Sequence, residues 1–114
     1  MKKNPVSNSE EFFEAAEKGD VEKIISFLKA GIDPNLIKTN CHRTALQLAS
    51  QKGHLEVIKL LLENGADVNA QVKWGDNDED AHETALQLAS HEGHLEVVDF
   101  LRKRMDINTK NSIR

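Results

Sequence analysis

The chain has 114 residues, 30% of them charged, and a formal net charge of −4. That length bounds it to one small domain, and the acidic balance argues against non-specific nucleic-acid binding, which feeds on a basic surface. No apolar run approaches the roughly 20 residues of a membrane span, MKKNPVSNSEEFF lacks the apolar stretch of a secretory signal, and the single cysteine, Cys41, excludes an internal disulfide and fits a reducing compartment. The expectation is an intracellular, cytoplasmic chain without membrane contact.

In chain order, residues 1–9 read as a flexible leader. Helices are predicted over 10–18 and 21–29, separated by Gly19. In the next unit Ala45, Leu46, Leu48 and Ala49 lie at helical spacing. Thr44 is placed to cap that helix, because its hydroxyl accepts from an unpaired first-turn amide. Gly53 ends it, since glycine takes the left-handed C′ conformation without a steric penalty. Over 54–63, Val57, Ile58, Leu61 and Leu62 form the stripe of a second helix. Gly65 closes that helix, and Asp67, Val68 and Asn69 lead into a turn-prone stretch. Helices over 84–92 and 94–104 follow the same plan.

Residues 44–57, TALQLASQKGHLEV, and 84–97, TALQLASHEGHLEV, differ only at Gln51/His91 and Lys52/Glu92. A segment copied within one chain is a structural unit, stacked so that each copy buries its neighbour's apolar face. TALQLASQKGHLEVIKLLLENGADVNA resembles an ankyrin repeat, which carries T-P-L-H at its first helix and G-A-D-V-N after its second. TALQLASHEGHLEVVDFLRKRMDIN and EFFEAAEKGDVEKIISFLKAGIDPN resemble it in register. The resemblance covers residues 10–110. It implies an all-α ankyrin-repeat solenoid of three stacked helix-turn-helix units at about 10–37, 44–70 and 84–110, joined by extended loops. A loop insertion fills 71–83, and 111–114 form a tail.

The chain departs from the family in three places. Ala45 and Gln47, like Ala85 and Gln87, stand where the family has Pro and His. The family His bonds the neighbouring hairpin, and a Gln can both donate and accept, so a related bond is expected. Gly19 and Gly53 are 34 positions apart but Gly53 and Gly93 are 40 apart, and the extra residues fall in QVKWGDNDEDAHE. The third unit's ending, FLRKRMDIN, lacks the glycine of FLKAGIDPN and LLENGADVN, so an irregular outer turn is expected there. Glu14 stands where the other units have Leu48 and Leu88, and Arg102 where the second has Leu62. Both exchanges read as polar caps on one complete, monomeric stack.

By the resemblance, a partner protein binds the concave face made of loop tips and first helices. The exposed, variable positions of the family map onto Asn40, Cys41, Arg43, Gln51 and Lys52. In the third unit they map onto Asp80, Ala81, Glu83, His91 and Glu92, and in the first onto Glu17 and Lys18. Trp74 opens the inserted loop, either folded back on the stack or exposed as an anchor, since tryptophan is enriched at interface hot spots. Asp76, Asp78, Glu79, Asp80 and Glu83 crowd the same loop, and Arg102, Lys103, Arg104, Lys110 and Arg114 the C-terminal end.

No enzyme constellation emerges. His54 and His94 are repeat equivalents and read as parts of the fold. Cys41–His42 lacks the ligand spacing of a zinc site. A calcium loop counted from Asp76 needs Gly and Glu where Ala81 and Gln87 stand. No nucleophile elbow or phosphate loop is present, so no cofactor and no metal are expected. The resemblance also makes Asn69, and less well Asn108, possible acceptors of asparaginyl hydroxylation. Three functions stay open: a small adaptor or inhibitor, a regulatory subunit of an enzyme on another chain, and a consensus-like scaffold without a partner.

Overall fold

The computed structural model describes residues 9–38, 43–71 and 84–112, with side chains as far as Met105. In order the elements are α1 (Ser9–Lys18), α2 (Val21–Lys29), β1 (Ile37–Lys38), β2 (Arg43–Thr44), α3 (Ala45–Lys52), α4 (Leu55–Glu63), α5 (Ala85–His91) and α6 (Leu95–Ser112). The first five helices begin and end within a residue or so of the expected spans. Each pair of helices forms one unit. The inner helices α1, α3 and α5 stack in sequence order, and α2 stacks on α4 behind them. β1 and β2 pair antiparallel, Ile37 with Thr44 and Lys38 with Arg43, and make a short hairpin between the first two units.

Local chemistry sets the helix starts. Thr44 accepts from the Gln47 amide at 3.2 Å while Gln47 Oε1 accepts from the Thr44 amide at 2.7 Å, a reciprocal cap. Thr84 and Gln87 repeat it. Gln47 also donates from Nε2 to the Ala70 carbonyl at 3.1 Å, which is the expected onward bond from the His position of the family. Gln47 is buried with all of this, whereas Gln87 is exposed.

The core runs through all three units. Phe12, Phe13, Ile24 and Ile32 are buried in the first, with Phe27 edge-on to Phe12 at 5.8 Å between ring centroids. Leu46, Leu48, Val57, Ile58, Leu61 and Leu62 fill the second, and Ala85, Leu88, Ala89, Val97 and Leu101 the third. Glu14 is exposed where Leu48 is 4% exposed, so the polar cap at the N-terminal end is real.

Two expectations at the other end need correction. The last helix does not stop at 104: α6 runs through the expected turn and into the expected tail, to Ser112. The reason is visible in the partners. Gly31 and Gly65, at φ 96° and 98°, reverse the chain after α2 and α4, and Lys103–Arg104–Met105 offers no residue that accepts a left-handed backbone cheaply. The C-terminal cap is also only partial. Arg102 is exposed as expected, but Leu95 beside it is 77% exposed.

Candidate functional site

The hairpin is fixed to the inner helices by polar side chains. Lys38 Nζ lies 3.5 Å from a Glu17 carboxylate oxygen near the end of α1. Across the hairpin, Arg43 Nη1 donates to Gln51 Oε1 near the end of α3, at 3.2 Å. Lys18, Lys52 and Glu92 sit at or just beyond the C-terminal ends of α1, α3 and α5, and all three are exposed. Because α1, α3 and α5 stack in register, these residues form one polar row beside the hairpin.

Of the predicted contact residues, the structure brings Arg43, Gln51, Lys52, His91 and Glu92 to this row. Gln51 is not the free surface position the sequence suggested. It is half-buried, its side chain accepts from Arg43, and its carbonyl accepts from His94. Asn40, Cys41, Trp74, Asp80, Ala81 and Glu83 lie outside the described residues, as do His42, His82 and the acidic run from Asp76. Among the described residues no group of three His, Cys, Asp or Glu side chains is placed to hold a metal. Nor is any helix there long and apolar enough to cross a membrane.

Sequence reasoning missed Lys38 and Ile37. Lys38 joins the row only because β1 pairs with β2, a two-residue strand too short to show in a periodicity. Ile37, 47% exposed, forms the apolar wall of an open groove of about 550 Å³. Asn35, Asp67 and Asn69 line the same groove. Asn35 bridges the units there: its Nδ2 donates to the Gly65 carbonyl at 3.0 Å, and its Oδ1 accepts from the Asp67 amide at 2.8 Å. Asn69, the expected hydroxylation acceptor, is exposed on the edge of this groove.

The histidines of the two near-identical copies are joints between units. His54 Nε2–H donates to the Glu17 carbonyl at 2.8 Å, and His94 Nε2–H donates to the Gln51 carbonyl at 2.9 Å. Asp20 holds the equivalent position in the first unit and caps its own helix by accepting from the Lys23 amide. Residues 12–111 match the family model for ankyrin repeats in three copies. The chain belongs to the ankyrin repeat family. Ankyrin repeats are a general protein–protein interaction module, and in this one the joints consume both repeat-equivalent imidazoles.

Similar stretches occur in much larger proteins. Over 60 residues the ankyrin chain is 38% identical to serine/threonine-protein kinase 12 of Arabidopsis thaliana, covering 53% of the chain and 13% of the kinase. Over 70 residues it is 33% identical to the 2-5A-dependent ribonuclease of Mus musculus, covering 61% and 10%. Over 81 residues it is 36% identical to the E3 ubiquitin-protein ligase mind-bomb of Drosophila melanogaster, covering 60% and 7%. The chain thus spans about a tenth of the length of these relatives.

Proposed function

We propose that this chain is a non-catalytic binding module that engages a partner protein through the hairpin and inner-helix face. The observation that carries the reading is the row Glu17–Lys38, Arg43–Gln51, Lys52 and Glu92. It gathers charged groups from all three units onto one side. Within the duplicated segment the residues that build caps, joints and core are identical, and the two differences, at 51/91 and 52/92, fall on this row. A surface of mixed charge favours a partner with complementary charge and a salt-sensitive association rate. The reading places the chain inside the cell, in a reducing compartment, as a monomer until the partner binds.

A second reading is favoured by the relatives. Two of the three are named as enzymes acting on proteins and one as a ribonuclease, and the matched stretch is a small part of each. On that reading the stack regulates an enzyme on another chain, using the same face.

Affinity capture from the native host, read by mass spectrometry, identifies the partner. The face is then tested by reversing charge at Lys52→Glu and Glu92→Lys together. Both positions are exposed, so the melting curve should stay where it is while affinity falls about tenfold, the equivalent of about 1.4 kcal/mol. Gln51 is unsuitable, because changing it also disturbs Arg43. If affinity survives, the contact lies on the outer helices near Glu56, Glu96 and Asp99. An enzymatic activity of the purified chain would overturn the non-catalytic reading.

A further inference from the structure

The two joints inside the stack share one construction. Gly19 and Gly53 have φ of 76° and 79°, and a Cβ on either would meet the imidazole of His54 or His94 at 2.6 Å. Gly93 has the same backbone, φ 75°, but nothing lies within 4 Å of where its Cβ would be. Around it the third unit keeps the residues of an interior unit and exposes them. Ser50 is fully buried and Ser90 is exposed. Leu46 and Ile58 are buried, while Leu86 and Val98 are half-buried. Leu55 is half-buried, and its equivalent Leu95 is 77% exposed. These positions lose cover only in the third unit.

We infer that the C-terminal end of the stack is a docking face for a further helical hairpin of the same type. That hairpin carries an apolar side chain at the position of Leu48 and an imidazole at the position of His54, to pack on Gly93. The occupant follows from continuity with the two joints already built, each of which presents a glycine, a small residue (Ala16 or Ser50) and apolar side chains at these same positions to the unit after it. Asp99 and Arg102, both exposed, lie on the same helix as Leu95 and Val98 and supply polar groups of the kind that edge an apolar contact. A second copy of the chain docking head to tail does not fit. Its first unit would bring the Glu14 carboxylate where the joint takes leucine and Asp20 where it takes imidazole, and a buried unpaired carboxylate is strongly disfavoured. This face lies at the end of the stack and is separate from the hairpin row.

The test uses full-length chains. The probe carries Glu14→Leu, Asp20→His and Lys23→Val, which give its first unit an interior-type surface, and Leu95→Lys, which blocks its own C-terminal face. Mixed with the unmodified chain in sedimentation velocity, it should form a 1:1 complex. Leu95→Lys or Ser90→Arg in the otherwise unmodified chain should weaken that complex at least about tenfold. No complex with a folded probe, or a complex indifferent to both changes, overturns the inference. Self-association of the unmodified chain through Leu95 also overturns it, by making the occupant a second copy. Should the probe fail to fold, residues 44–70 are fused after the third unit through a turn copied from 64–69. A docked fourth unit raises the melting midpoint of the whole chain, and Leu95→Lys removes the rise. An unchanged midpoint refutes the docking face.

Discussion

The two ends of this stack solve the same problem differently. At the N-terminal end, three positions that face the preceding unit elsewhere in the stack carry charge instead: Glu14 for Leu48, Asp20 for His54 and Lys23 for Val57. Asp20 spends its side chain on the first turn of its own helix, where His54 and His94 bond the unit before them. At the C-terminal end only Arg102, for Leu62, has changed in that sense, and Gly93, Ser90 and Leu95 remain as they are in a unit that is followed by another. A cap is therefore a set of coordinated exchanges, and one charged residue on a helix does not make one.

The sharpest way to break that comparison is at the facing leucine. Leu48→Ala removes a side chain buried between the first two units and should cost about 2–5 kcal/mol, whereas Glu14→Ala should stay within about 0.5 kcal/mol. Denaturant melts read both, and equal costs would remove the distinction between joint and cap. The glycines sharpen it next. Gly53→Ala and Gly93→Ala share the strain of a positive φ, roughly 1 kcal/mol, but only at Gly53 does the new Cβ strike an imidazole. Gly53→Ala should cost about 1–3 kcal/mol more, as overpacking does, and equal melting shifts would mean the ring yields freely.

The turns offer a smaller contrast. Asn35→Ala cuts two hydrogen bonds between the first and second units and should cost about 1–2 kcal/mol. Asn69 is exposed, and among the described residues its side chain makes no such bridge, so Asn69→Ala should change stability by less than about 0.5 kcal/mol. Thermal melts of the pair decide it. The smallest effect has the opposite sign. The Ser50 hydroxyl is buried without a hydrogen-bond partner, and Ala16 fills the equivalent position in the first unit. Ser50→Ala should stabilise by about 1 kcal/mol, since it removes an unpaired buried donor, and Ser90→Ala should do nothing measurable.

Much of this was legible in the sequence because it is written more than once. The duplicated TALQLAS and GHLEV segments located α3 to α5 and the start of α6, and Thr44, Gly53 and Gly65 marked real caps and turns. Glu14 announced the N-terminal cap. What did not show was whatever depends on a neighbour in space. The run of α6 to Ser112 follows from a missing glycine, which in sequence reads equally as an irregular turn. The bond from Arg43 to the half-buried Gln51 joins residues eight apart, from just before α3 to near its end. The contact row was half legible: its variable pair 52/92 stands out between the copies, while Lys38 enters it only through strand pairing.

Native-state hydrogen exchange, resolved along the helices, tests the difference between the ends most directly. The first unit is sealed by Phe12, Phe13 and Phe27 and by polar exchanges on its outer side. The third leaves its outer side apolar and open, and α6 packs on α5 but only sparsely on α4. Opening free energies differ along a stack in this way when its units differ in cover. The amides of α5 and α6 should therefore exchange through a local opening well before those of α1 and α3. Adding the docking probe should slow α5 and α6 alone. If α1 and α2 exchange first, or all six helices share one protection level, the C-terminal end is as well closed as the N-terminal one and the account is wrong.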